Sequence, residues 1–322
     1  MLAYIIRRTL YVIPVVFGVA LVTFFLFHVV GWDPASQMLG RHASKDEITA
    51  LRTELGLDLP KWVNFAAAGR QGWTHLFDSQ WFFYCKQIVT LDFGRSFASH
   101  QKISTLMLNG IVPSLVLAVP IFVIELVVAI AIALFAAYYR NTWIDRSLVV
   151  LCVIGMSVSY LVYILVGQYV LAYRLQWFPI WGYESVKYLI LPVLVGLVSG
   201  LGGEVRFYRT VMLDEMYQDY VRTAFAKGCR QRTVLFKHVL KNAMIPIITH
   251  TVITIPFLYT GNLLLETFFG IPGVGYLAVE AINSNDIPVV KATVMIGSIV
   301  YVFASLVTDI CYALVDPRIK LR

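Results

Sequence analysis

Hydrophobic positions in this chain fall into long blocks, with polar and charged residues confined between them. A helix rises about 1.5 Å per residue, so about 20 mostly apolar residues cross the ~30 Å hydrocarbon layer of a bilayer. Six blocks reach that length: Leu10–Val30, Val112–Tyr139, Leu148–Tyr173, Tyr188–Met212, Ile245–Phe269 and Ala292–Val315. The pattern predicts an all-α membrane protein with six transmembrane helices. Arg7 and Arg8 precede the first block as they would in a signal peptide. Its apolar run is too long for one, and no small-residue cleavage site follows Val30, so this block is read as a retained span.

The polar intervals then divide the chain into a tail and first span (1–30), an external segment (31–111), a five-helix core (112–315) and a short tail (316–322). The core includes a polar segment at 213–244. In 31–111, Ser44 with Glu47 three residues on reads as a helix N-cap, and Gly56 as its stop. Trp62, Phe65, Trp73, Phe77, Trp81, Phe82, Phe83 and Tyr84 make the second half aromatic. Such residues suit the headgroup layer of the outer membrane face, or a small core within the external segment; the pattern allows both.

Composition agrees with a membrane protein. Of 322 residues, 59% are hydrophobic and 14% charged, and the mean hydropathy is +0.73. Soluble domains run at about 45–50% apolar and about 25% charged, which argues against a water-soluble enzyme. The net charge of +7 would suit nucleic acid only if the basic residues formed a tract, and they are scattered between apolar blocks. They follow the positive-inside rule instead. Fifteen Lys and Arg fall at the two termini, at Arg140 and Arg146, and from the end of the fourth span to the start of the fifth. The short segments of the other side hold three: Arg174, Lys187 and Lys291. Both termini and residues 213–244 are therefore expected on the cytoplasmic side, and 31–111 outside.

The chemistry-bearing motifs point the same way. No GxxxxGK[ST] loop, HExxH pair or GxSxG elbow occurs, and Cys85, Cys152, Cys229 and Cys311 are widely spaced. No catalytic, cofactor-binding or metal-binding residue is expected, and any ATP would be bound elsewhere. Glu125, Glu204 and Asp309 lie inside spans, and Glu266 near a span end. Charges in lipid are costly, so each is expected to face protein or water, as a proton relay or as a satisfied partner in the bundle. Prolines 113, 120, 192, 246 and 256 would kink or loosen their helices, and Gly196, Gly200 and Gly203 would give the fourth span a close-packing face. In the cytoplasmic segment, Asp219 to Gly228 has helical spacing. Ala224 and Gly228 stand four apart, where another protein could approach the backbone, and a second amphipathic helix carries Val234, Leu235 and Val239 opposite Arg232, Lys237 and Lys241. The pair reads as a docking surface, with lipid binding by a basic juxtamembrane segment as the other reading.

Several short motifs occur in order along nearly the whole length: Asp33-Pro34, Leu55-Gly-Leu-Asp58 with Pro60, Asp92-Phe-Gly94 with Ser96, and Pro179 with Gly182. Asp219-Tyr220-Val-Arg222-Thr223-Ala224, Ala226-Lys227-Gly228 and Asn242-Ala243 follow, then Glu266, Pro272-Gly273 with Gly275, Asp286 with Pro288, and Asp316-Pro-Arg318. In these the chain resembles the permease subunits of ATP-binding-cassette importers of the dipeptide and oligopeptide class. It departs in Phe225, where that family usually has a basic residue, and in the length and aromaticity of 61–90.

The resemblance implies a type I importer permease of the bacterial inner membrane, carrying peptides, with nickel chelates and other small solutes as further possibilities. It implies four kinds of partner: a second homologous permease, two ATP-binding subunits that hold ATP and magnesium, an external solute-binding protein, and the bilayer itself. Asp219 to Gly228 would be the connector to the ATPases. A proton-coupled secondary transporter using Glu125 and Asp309 is the alternative.

Overall fold

The computed structural model describes residues 2–30, 35, 44–54, 56–65, 76–258 and 262–315, and among these every extended element is helical. They group into two compact units, Met1–Ile111 with Leu277–Phe303 and Val112–Tyr276 with Ala304–Arg322. Four helices are long and apolar enough to cross a membrane, and two bent helix pairs bring the number to six when each pair is taken as one span.

In the first unit, α1 (Leu2–Phe24) continues into a π-helical turn, Phe25–Val30. Leu10, Ile13, Phe17 and Val22 on α1 are exposed, as lipid-facing residues must be. The short α2 (Lys45–Glu54) starts as its sequence requires: Glu47 N–H donates to Ser44 Oγ at 3.2 Å, and Ser44 N–H donates to the Glu47 carboxylate at 2.9 Å. It stops at Gly56, whose φ of +67° lets the N–H groups of Gly56 and Leu57 return to the carbonyls of Thr53 and Arg52.

Helix α3 (Gln80–Thr90) is capped by Ser79, and its Gln80 amide donates to the carbonyls of Leu57 and Leu59 at 2.7 and 2.8 Å. The aromatic stretch resolves residue by residue. Trp81 and Tyr84 pack with Phe24 of α1, at ring separations of 5.1 and 5.9 Å, as a small core, and exposed Trp62 lies at its edge, 5.1 Å from the Phe24 ring. Phe65, Phe77 and Phe83 are exposed, and Trp73 lies outside the described residues.

α4 (Ile103–Tyr138) passes from the first unit into the second at Val112, and the second unit continues with α5 (Trp143–Ser157), α6 (Tyr160–Gly167, extended in π-helical form through Gln168–Arg174) and α7 (Val186–Met216). α8 (Asp219–Ala226) follows. A short turn, Gln231–Thr233, and a π-helical stretch, Val234–Val239, then lead into α9 (Leu240–Leu258). α10 (Leu263–Phe269), α11 (Val274–Asn283) and α12 (Ile287–Val315) follow, with Leu277–Phe303 belonging to the first unit.

Two of the expected spans are not single helices. The third bends by 91° between α5 and α6, because Val158 is extended (ψ 130°) and interrupts the hydrogen-bond ladder. Tyr163 O–H, one turn into α6, donates at 2.9 Å to the Gly155 carbonyl that the break exposes. The fifth ends at Leu258. α10 is a separate helix whose first turn is capped by the Asn262 side chain, and it bends by 77° into α11. The prolines do not mark these bends: α4 runs through Pro113 and Pro120, and α7 through Pro192, unbroken.

On α7, a Cβ at Gly196 would press on Ile121 and Leu265, and one at Gly200 on the Glu125 carboxylate. Gly203 faces open space, and Gly202 instead meets the Cys152 carbonyl of α5.

Candidate functional site

The polar segment after α7 folds back on its own bundle. Val221 and Ala224 of α8 are buried with Val234, Leu235, Val239 and Ala243 against Tyr208, Met212 and Met216 of α7. Amphipathic spacing dictates this, since positions three apart share one helical face. Ala224 thus packs into this chain's own core. Within this chain a Cβ on Gly228 would meet nothing within 4 Å. Its φ is +78°, and this left-handed turn lets Cys229 N–H donate to the Ala224 carbonyl at 3.2 Å, closing α8.

The outward residues of the segment are Asp219, Arg222, Thr223, Phe225, Ala226 and Lys227, joined by exposed Tyr217 and Phe236. Arg222 and Asp219 pair at 3.5 Å in the open, which is worth little in stability. Tyr220 lies between the faces. Burial, and the Glu215 carboxylate that accepts its O–H, push its pKa up to about 12. The segment thus presents an aromatic and basic face over a packed underside. Asn242 is half-buried and Ala243 fully buried beneath it.

Two buried carboxylates explain the later motifs. Glu266 of α10 is fully buried. Its Oε1 accepts from Ser114 O–H at 2.7 Å and Asn262 N–H at 3.1 Å, and its Oε2 accepts from Tyr276 N–H at 3.0 Å. Ser114 Oγ in turn accepts from Val274 N–H at 2.9 Å. A Cβ on Gly273 would land on that carboxylate, and one on Gly275 would stand 2.7 Å from Leu263 Cα and 2.9 Å from Glu266 Oε2. Glu266, Gly273 and Gly275 are thus one device, a turn folded onto a carboxylate, with Pro272 exposed at its tip.

In the first unit, Asp286 does the same at the start of α12. It accepts from Ser96 O–H at 2.5 Å, Ala98 N–H at 3.2 Å and Val289 N–H at 3.5 Å, so Asp92-Phe-Gly94 with Ser96 and Asp286 with Pro288 meet in space. Gly182 N–H donates to the Phe269 carbonyl at 2.8 Å. Asp33, Pro34, Leu55 and the Asp316-Pro-Arg318 motif lie outside the described residues, as does the side chain of Asp309.

Inside the bundle, Glu204 Oε1 lies 3.1 Å from His250 Nε2, and Glu125 rests against Gly200 one turn away. One partly buried ion pair has no motif in the sequence to announce it. Arg209 of α7 grips Asp145 of α5 through two hydrogen bonds of 2.6 and 2.7 Å, with Asp145 almost wholly buried. An acidic residue in the first turn of α5 was the available signal, but it named no partner. Among the described residues no cluster of three or more His, Cys, Asp or Glu could hold a metal ion.

The family described as "Binding-protein-dependent transport system inner membrane component" matches residues 129–321, and its N-terminal counterpart matches residues 1–118. A dipeptide transport system permease protein of Alkalihalophilus pseudofirmus is 30% identical over 99% of this chain and all of its own length. Glutathione transport system permease proteins of Salmonella choleraesuis and Escherichia coli K12 are 32% and 31% identical, over the full length of both chains.

Proposed function

The chain belongs to the family of binding-protein-dependent transport system inner membrane components, multi-pass proteins of the bacterial cytoplasmic membrane, and from that premise we propose that it forms half of the translocation pathway of an ATP-driven importer of di- and oligopeptides. The observation that carries this reading is the end-to-end similarity to a dipeptide permease and to permeases for glutathione, itself a tripeptide. Its partners in this reading are a second homologous permease, two ATPase subunits that bind the ATP and magnesium, and an external solute-binding protein. No cofactor is assigned to the chain itself, and hydrolysis resides on the ATPases.

With the N- and C-termini and residues 213–244 in the cytoplasm, the exposed face of α8 docks on an ATPase. Phe225 and Phe236 supply apolar contact, Arg222 and Lys227 supply charge, and the buried Val221 and Ala224 tie that contact to α7. Movement of the ATPases then reaches the bundle through a packed connector.

The test is reconstitution of the complete complex in liposomes, with ATP enclosed and a labelled dipeptide and binding protein outside. Accumulation that requires ATP supports the reading. Accumulation driven by an imposed pH gradient without ATP would overturn it in favour of proton coupling through Glu125 and Asp309.

A further inference from the structure

Three of the motifs that recur along the external segment and the start of α12 surround a single cavity. It has a volume of about 460 Å³ and lies wholly within the first unit. Gly56 and Leu57 reach it from the turn after α2, Phe93 and Gly94 from the loop after α3, and Pro288 from α12. None of these positions is needed there for the Asp286 clasp, which is made by Ser96 and Ala98. The volume is within the range of about 300–1,000 Å³ usual for small-molecule sites.

The charged lining is one-sided. Lys291, His28 and Arg95 face the cavity, and among the described residues no carboxylate does. Asp286 is occupied by its three donors, and Asp92 Oδ1 accepts from Gly94 N–H at 3.2 Å. Lys291 is half-buried. Its ammonium has three N–H groups, of which one can donate to His28 Nε2 at 3.3 Å, and it stands 5.9 Å from the Phe27 ring. Arg95, exposed, spends one N–H on the His100 carbonyl at 3.1 Å. Two cations with N–H groups to spare, walled by Phe83, Phe93 and Phe97, match a ligand with an anionic end and an apolar side chain. Among the described residues this half-buried ammonium has no carboxylate counter-ion, which is unfavourable, and an oxyanion beside it would offset that cost.

We propose that this cavity binds the free C-terminal carboxylate of a short peptide, through Lys291 and Arg95, with the terminal side chain against the phenylalanine wall. The inference rests on the peptide reading of the preceding section and makes the outer unit of the permease a recognition site in its own right. A phosphate shares the same chemistry, so the test must separate the two.

The complex is placed in nanodiscs of phosphatidylcholine, without the binding protein, and titrated with Ala-Phe and with its C-terminal amide. Loss of a charge-assisted contact predicts binding of the amide about tenfold weaker or worse. Lys291→Gln should abolish the difference between acid and amide, and Lys291→Arg should restore it; Arg95→Gln should reduce it. The contrast on the unaltered protein needs no variant to fold. Absence of Ala-Phe binding, equal binding of acid and amide, or a difference indifferent to Lys291→Gln, each overturns the proposal. Displacement of the peptide by phosphatidylglycerol or inorganic phosphate at lower concentration than the peptide itself also overturns it, and assigns the cavity to a phosphate. ATP-driven uptake of Ala-Phe by the complete system keeps the two readings apart. Uptake without cavity binding removes only this inference, and failure to transport any peptide removes the function beneath it.

Discussion

Glu266 shows how one side chain can dictate its neighbours' identities. Its carboxylate has three donors within 3.1 Å and no solvent, so the residues that approach it must bring N–H groups without bulk. Gly273→Ala should therefore destabilise by about 1–3 kcal/mol through overpacking. Glu266→Gln, which turns an acceptor into a donor facing N–H groups, should cost about 1–3 kcal/mol through unsatisfied partners. Thermal unfolding of the purified complex checks both, and the pair should be far from additive because they share one contact. The motif spacing made these residues visible in the sequence. Ser114, the partner that explains them, lies 152 positions from Glu266 and was silent, since a lone serine in an apolar run has no periodic signature.

At the scale of the element, α8 separates what spacing can and cannot tell. Apolar periodicity placed Val221 and Ala224 on one face, but only the fold says whether that face turns to the bundle or to a partner. Because it turns inward, Ala224→Glu would put an unpaired charge among Val234, Val239 and Met212, a change that typically costs about 3–5 kcal/mol. Lower amounts of assembled permease are expected on immunoblots. Phe225→Glu alters only the exposed face and should leave protein levels normal while the ATPase is lost on purification. A Phe225→Glu complex that keeps its ATPase and transports normally would remove α8 from the connector role.

The spans tell the same story. Hydropathy found four spans and the bent third with their rough extent, and misplaced the fifth, whose bent pair runs over Leu263–Phe269 and Val274–Asn283; a window of apolar residues counts length and is blind to a 91° bend. The bend is set by Val158 leaving the helical region, whereas the prolines inside α4 and α7 are absorbed without a break. Each proline forfeits one backbone hydrogen bond, which a long helix tolerates when its other turns are intact.

For the whole molecule, the distribution of basic residues sets a topology that cysteine chemistry can read. In the proposed topology Cys85 lies outside and Cys229 in the cytoplasm, so an impermeant maleimide added to intact cells should label the former only. Burial pushes the Cys85 thiol up from its ordinary value, so less of it is thiolate at neutral pH, and its labelling should be slow there and quicken as pH rises. Labelling of Cys229 from outside would invert the topology and with it the placing of α8.

The hydrogen bond from Ser96 to Asp286 joins residues 190 positions apart, and it closes a unit whose two parts, Met1–Ile111 and Leu277–Phe303, are widely separated along the chain. A ribosome delivers those parts far apart in time. In the proposed topology residues 31–111 therefore wait outside, unfinished, while the intervening spans are synthesised and inserted, and assembly of this unit comes late in biogenesis. Chains truncated before residue 277 should accordingly expose residues 76–111 to added protease, whereas full-length chains resist it, and Asp286→Ala should reproduce the truncated pattern in a protein of full length. In a cell, that delay would make the outer surface of this permease a checkpoint: quality-control proteases there would see the clasp only on molecules whose last span has arrived.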